Sequence, residues 1–180
     1  IEQLLSLHRV SLDADSSELA QCELHSVVQE VIAELYEGLT LKQQTIELVG
    51  AVAEIRASLS SATILLRNLV DNASKYTPDK GTIRVTTGGN NGRSFVRVED
   101  SGPGIPEEEY SRVLERFYRI GGDRNNSNVV GSGLGLSIVS DIVRIHDGQI
   151  VFSRSTALGG LAVEVSFSSI VSESSDEVLA

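Results

Sequence analysis

With 180 residues, 41% hydrophobic and 22% charged, the chain has apolar material for one sizeable core and too little length for two ordinary domains. Its 15 basic against 25 acidic residues give a net charge of −10, which argues against a nucleic-acid surface; a bound anion would have to be met locally by placed cations, a metal ion or a helix N-terminus. No segment approaches the roughly 18 to 20 apolar residues of a membrane span and none reads as a secretion signal, while the single cysteine, Cys22, permits no internal disulfide and reads as a small core residue.

With isoleucine at position 1 and no methionine anywhere, the sequence is expected to be a piece of a longer protein. Residues 1–14 cluster Ile1, Leu4, Leu5 and Leu7 ahead of Val10 and Leu12, the pattern of the end of an amphipathic helix. A helix is predicted from about Ser26, with Val28, Ile32, Leu35 and Leu39 on one face, followed by a strand over Thr45–Val49. A second helix is predicted from about Ser60, with Ile64, Leu65, Leu69 and Ala73 aligned, and it must stop before Pro78. Thr82–Thr87 and Ser94–Glu99 form a hairpin around the turn residues 88–92. After a glycine- and proline-rich stretch, Ser101–Pro106, comes a short acidic helix over Pro106–Leu114. Gly121–Gly133 reads as a polar loop, Leu134–His146 as a third strong helix, and Gln149–Ser155 and Leu161–Ser168 as two closing strands. The acidic last residues carry too little apolar content to order themselves. The expected fold class is α+β, a two-layer α/β sandwich of about three main helices on a mixed, mostly antiparallel sheet. The expected division is a helix remnant at 1–14, one domain at 15–168 and a disordered tail at 169–180.

Four segments carry candidate chemistry. In Asn68-Leu69-Val70-Asp71-Asn72-Ala73-Ser74-Lys75-Tyr76, the asparagines lie four apart on one helix face, with Lys75 beside Asn72 a further turn on. Two amide oxygens there can hold a hard cation such as magnesium (Mg2+), with Lys75 supplying charge to a phosphate; a solvated polar face is the plain alternative. Asp100-Ser101-Gly102-Pro103-Gly104-Ile105 puts an acceptor-only carboxylate at a strand end, suited to an exocyclic amine, beside glycines that admit a flat ring; the alternative is an ordinary turn. Glu115-Arg116-Phe117-Tyr118-Arg119 offers two guanidinium groups to a γ-phosphate, unless Phe117 is core and both arginines are merely solvated. Gly131-Ser132-Gly133-Leu134-Gly135-Leu136 opens a helix with unhindered backbone amides, suited to cradling phosphate. This last segment is neither a dinucleotide fingerprint nor a Walker loop, because Leu136 and Ile138 stand where a third glycine is needed and no Gly-Lys-Ser or Gly-Lys-Thr occurs.

Order and spacing together make these segments resemble the N, first glycine, F and second glycine boxes of bacterial sensor histidine kinases, over about residues 60–168. The chain has a looser likeness to the quorum-sensing and polymyxin-response branch of that family. The resemblance implies the Bergerat ATP-binding fold, with ATP and magnesium as cofactors and a lid at about 120–130. It implies that Asn72 ligates magnesium with help from Asn68, and that Lys75 and Tyr76 contact phosphate and nucleotide. Asp100 would bind the adenine amine, with Gly102, Gly104 and Ile105 shaping the base pocket. Arg119 would reach the γ-phosphate, and Gly131, Ser132, Gly133, Leu134 and Gly135 would surround the triphosphate. The implied partners are a phosphoacceptor histidine on a helix of the same protein and a response regulator, in a homodimeric parent of the bacterial inner membrane whose ATP-binding domain is cytoplasmic.

The chain itself offers no suitable nucleophile. The family places its histidine in a His-Glu-x-x-Thr-Pro-like segment, whereas His8, His25 and His146 precede Arg9, Ser26 and Asp147. His25 is expected to be structural, His146 to cap a helix end, and His8 to lie on the first helix at a surface or interface. Two rivals stand beside the kinase reading. One is an ATPase of the same fold, which would place a general-base glutamate where Asn68 stands; asparagine cannot take that proton. The other is a degenerate kinase that acts as a docking module.

Overall fold

The computed structural model describes residues 19–120 and 131–170. Seven strands and three α-helices are formed there: β1 (Ala20–Glu23), α1 (Leu24–Leu41), β2 (Thr45–Gly50), β3 (Glu54–Ala57), α2 (Leu59–Tyr76), β4 (Thr82–Asn90), β5 (Arg93–Asp100), α3 (Gly135–Ile145), β6 (Gln149–Arg154) and β7 (Leu161–Ser168). The main sheet runs β2-β4-β5-β7-β6, with β2 and β4 parallel and every other pair antiparallel, and β1 pairs with β3 in a small second sheet. The α+β sandwich and its three helices are thus as expected. The first helix at 1–14, the lid beyond residue 120 and the tail from 171 lie outside the described residues.

One sheet face is apolar because alternate residues supply it. Ile83 and Val85 on β4, Val96 and Val98 on β5, and Val163, Val165 and Phe167 on β7 are buried in one core with the helices. The opposite face carries charge: Glu47 and Arg84 are register partners joined at 2.9 Å, and Arg97 pairs with Glu164 at 3.5 Å. A sheet of this kind covers one face with helices and leaves the other to water. Helix α2 lies between α1 and α3, so its buried stripe is wide, taking in Ala62, Leu65, Leu66, Leu69, Val70 and Ala73.

Several boundaries differ from the sequence reading. Helix α1 starts at Leu24 rather than near Ser26, because the Glu23 carboxylate accepts 2.8 Å bonds from the His25 and Ser26 amides and a third from the Ser26 hydroxyl. Helix α2 starts at Leu59, capped by the Ser58 hydroxyl, and ends ahead of Pro78 as expected, with Thr77 extended. The hairpin strands run on to a two-residue Asn91-Gly92 turn, both residues with positive φ, so the five-residue loop closes to a tight turn that matches strand twist. The acidic helix over 106–114 is replaced by two 3₁₀ turns, Glu107–Glu109 and Arg112–Leu114. Strands β1 and β3 escaped the sequence reading because each is four residues long. Cys22 is buried in β1, as expected. His25 bonds Thr87 Oγ1 through Nδ1 at 2.8 Å, and His146 caps α3 with its ring against Phe167. No helix among the described residues is long and apolar enough to cross a membrane.

Candidate functional site

A cavity of about 300 Å³ opens between α2, the end of β5 and the start of α3. Asn72, Lys75 and Tyr76 line it from α2, and Asp100, Gly104 and Ile105 from the segment at the end of β5. Arg119 and Gly131, Ser132, Gly133 and Gly135 complete the wall. Eleven of the fourteen site residues chosen from sequence therefore converge on one space. The apolar remainder of the wall includes Leu69, Val98, Pro103, Val113, Leu161 and Val163, which the sequence reading did not single out as site residues.

Asp100 closes β5 with 6% of its surface exposed. Its Oδ1 accepts from the Gly102 amide at 2.8 Å and the Leu161 amide at 3.2 Å, and no hydrogen bond to Oδ2 is formed among the described residues. Burial raises its carboxyl above the usual carboxylate range, and the two N–H bonds oppose that shift. A buried acceptor at a cavity wall suits a ligand that brings its own donor. Gly102 lies behind this wall, where a Cβ would come within 2.6 Å of Tyr76 O. Gly104 has φ +76, a backbone that favours glycine, and packs on Gly160.

At the other end, Lys75 is held by Asp71 at 2.5 Å. Asn68 sits behind the cavity wall at 9% exposure, its Nδ2 donating to Ile64 O, so its Oδ1 is the atom turned toward α3. A Cβ at Gly135 would meet Asn68 Oδ1 at 3.1 Å and Asn72 Nδ2 and Oδ1 at 3.2 and 3.3 Å. The missing side chain at Gly135 thus keeps a small space between two amides and the first turn of α3. Among the described residues no side chain caps α3, which leaves the amides of that turn open to an acceptor. Leu134, at the N-cap, places its side chain in the core.

The segment over residues 115–119 differs from the alternative of a core Phe117 between solvated arginines. Phe117 is 64% exposed with φ +66, so it is not core, and Arg116 pairs with Asp141 of α3 at 2.9 Å. Arg119 donates to Gly131 O at 3.2 Å, and the Phe117 amide donates to Gly133 O at 2.9 Å. Gly133 is glycine of necessity: its φ is +73 and a Cβ would lie 2.8 Å from the Phe117 carbonyl carbon. Two residues missed by sequence complete the Asp100 end of the cavity. A Cβ on Gly160 would lie 2.3 Å from Asp100 Oδ1, and its neighbour Leu161 supplies an amide to the same oxygen. The glycine pair just before β7 was the available signal.

Residues 57–169 match the family described as histidine kinase-, DNA gyrase B- and HSP90-like ATPase. The sensor protein QseC of Escherichia coli O157:H7 is 32% identical over 169 residues, covering 93% of this chain and 36% of that protein. The sensor protein kinase PmrB of Pseudomonas aeruginosa is 33% identical over 172 residues, covering 92% of this chain and 34% of its own. The chain thus spans about a third of the length of these relatives. Among solved structures, a mycobacterial sensor histidine kinase, MprB, superposes with a TM-score of 0.74 at 24% identity, over 84% of this chain and 97% of that one, a likeness of fold.

Proposed function

The chain belongs to the family of histidine kinase-, DNA gyrase B- and HSP90-like ATPases, and on that premise we propose that it is the ATP-binding catalytic domain of a sensor histidine kinase. It would transfer the γ-phosphoryl group of ATP to a histidine on a separate helical domain, for onward transfer to a response regulator. The observation that carries this reading is the cavity with two unlike ends: a buried carboxylate at Asp100, and the asparagine face of α2 against the glycine-rich start of α3. An adenine amine is a donor that Asp100 can accept, and the apolar wall between the ends suits a flat ring.

The residues present also fit magnesium. Asn72 and Asn68 present amide oxygens beside the space that Gly135 leaves open, and oxygen is the donor a hard cation takes. When bound there, magnesium would neutralise charge on the phosphates. Lys75 then adds a cation from α2, the open amides of α3 accept phosphate oxygens, and Arg119 turns from Gly131 O to the γ-phosphate. Phosphoryl transfer asks for this positioning and neutralisation more than for covalent help from the protein.

A water-activating ATPase is disfavoured by Asn68, whose Nδ2 is committed to Ile64 O and which has no basic atom to offer. The same reading divides the chain into a helix remnant at 1–14, the catalytic domain at 15–168 and a tail at 169–180. It makes the parent a homodimer of the inner membrane with this domain in the cytoplasm. Calorimetric titration with a non-hydrolysable ATP analogue, with and without magnesium and against its GTP counterpart, tests it. Magnesium-dependent binding that prefers adenine is expected; no binding would make the chain a degenerate docking module.

A further inference from the structure

On β5 the alternation that buries Val96 and Val98 assigns Glu99, like Arg97, to the charged outer face, yet Glu99 is only 7% exposed. What covers it is the turn between β6 and β7. Ser155, 2% exposed, donates its hydroxyl to Glu99 Oε1 at 2.8 Å, while Arg97 approaches the same oxygen only at 3.5 Å. The Ser155 hydroxyl also accepts from the Leu158 amide at 3.0 Å, and the Ser155 backbone bonds both Gly159 and Gly160. Ser155 therefore both organises the turn and ties its first residue to β5.

The same turn delivers the contacts on Asp100. Gly160 N donates to Asp100 O at 3.1 Å and Leu161 N to Asp100 Oδ1 at 3.2 Å. Gly160 packs so closely that no Cβ fits beside that carboxylate. A shift of the turn by a few tenths of an ångström therefore moves Asp100. We infer that Ser155, through its bond to buried Glu99, is a positioning residue for Asp100 and sets how well the cavity tells adenine from a base without an exocyclic amine. This rests on the nucleobase role proposed for Asp100. A buried carboxylate needs a donor, and removing the hydroxyl leaves Glu99 the more distant Arg97 and leaves the turn held to β5 through Gly160 and Leu161 only.

The test is calorimetric titration of the 180-residue chain with a non-hydrolysable ATP analogue and with its purine-riboside counterpart, identical but for the missing amine, both with magnesium. Ser155→Ala is expected to weaken binding of the adenine compound by about fivefold and of the purine compound by less than about twofold, the loss of one positioned hydrogen bond. Glu99→Gln, which keeps an acceptor for the Ser155 hydroxyl, is expected to retain the wild-type preference. Should Ser155→Ala fail to fold, Ser155→Cys, of similar volume and weaker donor strength, replaces it with the same expected direction. Equal weakening of both ligands, or no change in either, overturns the inference. Equal binding of both ligands by the wild-type chain overturns the nucleobase role of Asp100 itself, a separate result.

Discussion

Asp100 serves two opposed demands. Its burial raises the carboxyl pKa, so the charged form costs stability: the sign is that this group's contribution to folding is most favourable at low pH and is lost as pH rises through the folded pKa. Ligand binding runs the other way, because only the deprotonated carboxylate is purely an acceptor. Adenosine affinity is therefore expected to fall on acidification through that raised pKa, and the fall should be missing in Asp100→Asn. Asp100→Asn should also weaken ATP binding by about 1–3 kcal/mol without lowering the melting temperature of the unliganded chain; unchanged affinity would remove Asp100 from the base site. Gly135 makes a second argument at this scale. Gly135→Ala places a methyl 3.1 to 3.3 Å from the Asn68 and Asn72 amides, while alanine suits a helix better than glycine. Calorimetry should show weaker ATP binding with magnesium and nearly unchanged binding in a chelator; equal loss in both would point to the phosphates rather than the metal. The asparagine pair was legible because spacing of four fixes a shared helix face. That Asn68 sits behind Asn72 and bonds Ile64 O was not legible, since side-chain orientation depends on what α3 packs against it.

At the scale of the element, α2 carries the site and its C-terminal end is clamped from outside. Lys42 Nζ donates to Ser74 O at 2.5 Å and Thr77 O at 2.8 Å, and Gln44 Nε2 donates to Ser74 O and Thr77 O at 2.9 and 2.7 Å. A cation on the last carbonyls of a helix satisfies orphan acceptors and complements the dipole. Lys42→Met, which keeps the stem and removes the charge, should cost about 1–2 kcal/mol, read as a lower urea midpoint. ATP affinity should fall with it because Lys75 and Tyr76 sit on the clamped turn; an unchanged midpoint would show the clamp to be ornamental. The helix itself was readable from its apolar period and from Pro78. Its clamp was not, because Lys42 and Gln44, on either side of Gln43 with its φ of +54, lie 30 to 35 residues from the carbonyls they meet. Strands β1 and β3 were missed for a similar reason: four residues carry too short a period, and their pairing joins residues 31 to 37 apart.

For the molecule as a whole, the proposed chemistry needs a second body. Incubated with γ-labelled ATP and magnesium, the chain alone should acquire no acid-labile phosphate, and label should appear on a phosphoacceptor helical domain supplied in trans. Arg119→Ala should slow that transfer by about tenfold or more while changing affinity by less than about threefold; lost affinity would place Arg119 in binding rather than transfer. The sequence by itself determined the fold class, the order of the helices and main strands, and the four segments that meet at the cavity. It could do so because those features rest on local period, turn chemistry and spacing along the chain. Only the tertiary structure decided that Glu23 caps α1, that Glu99 is buried beneath Ser155, and that Gly160 and Leu161 hold Asp100. The Glu23 cap is local but uses a carboxylate outside the run of apolar period, whereas the other two depend on residues 56 and 61 apart in sequence reaching hydrogen-bonding distance, and packing settles that.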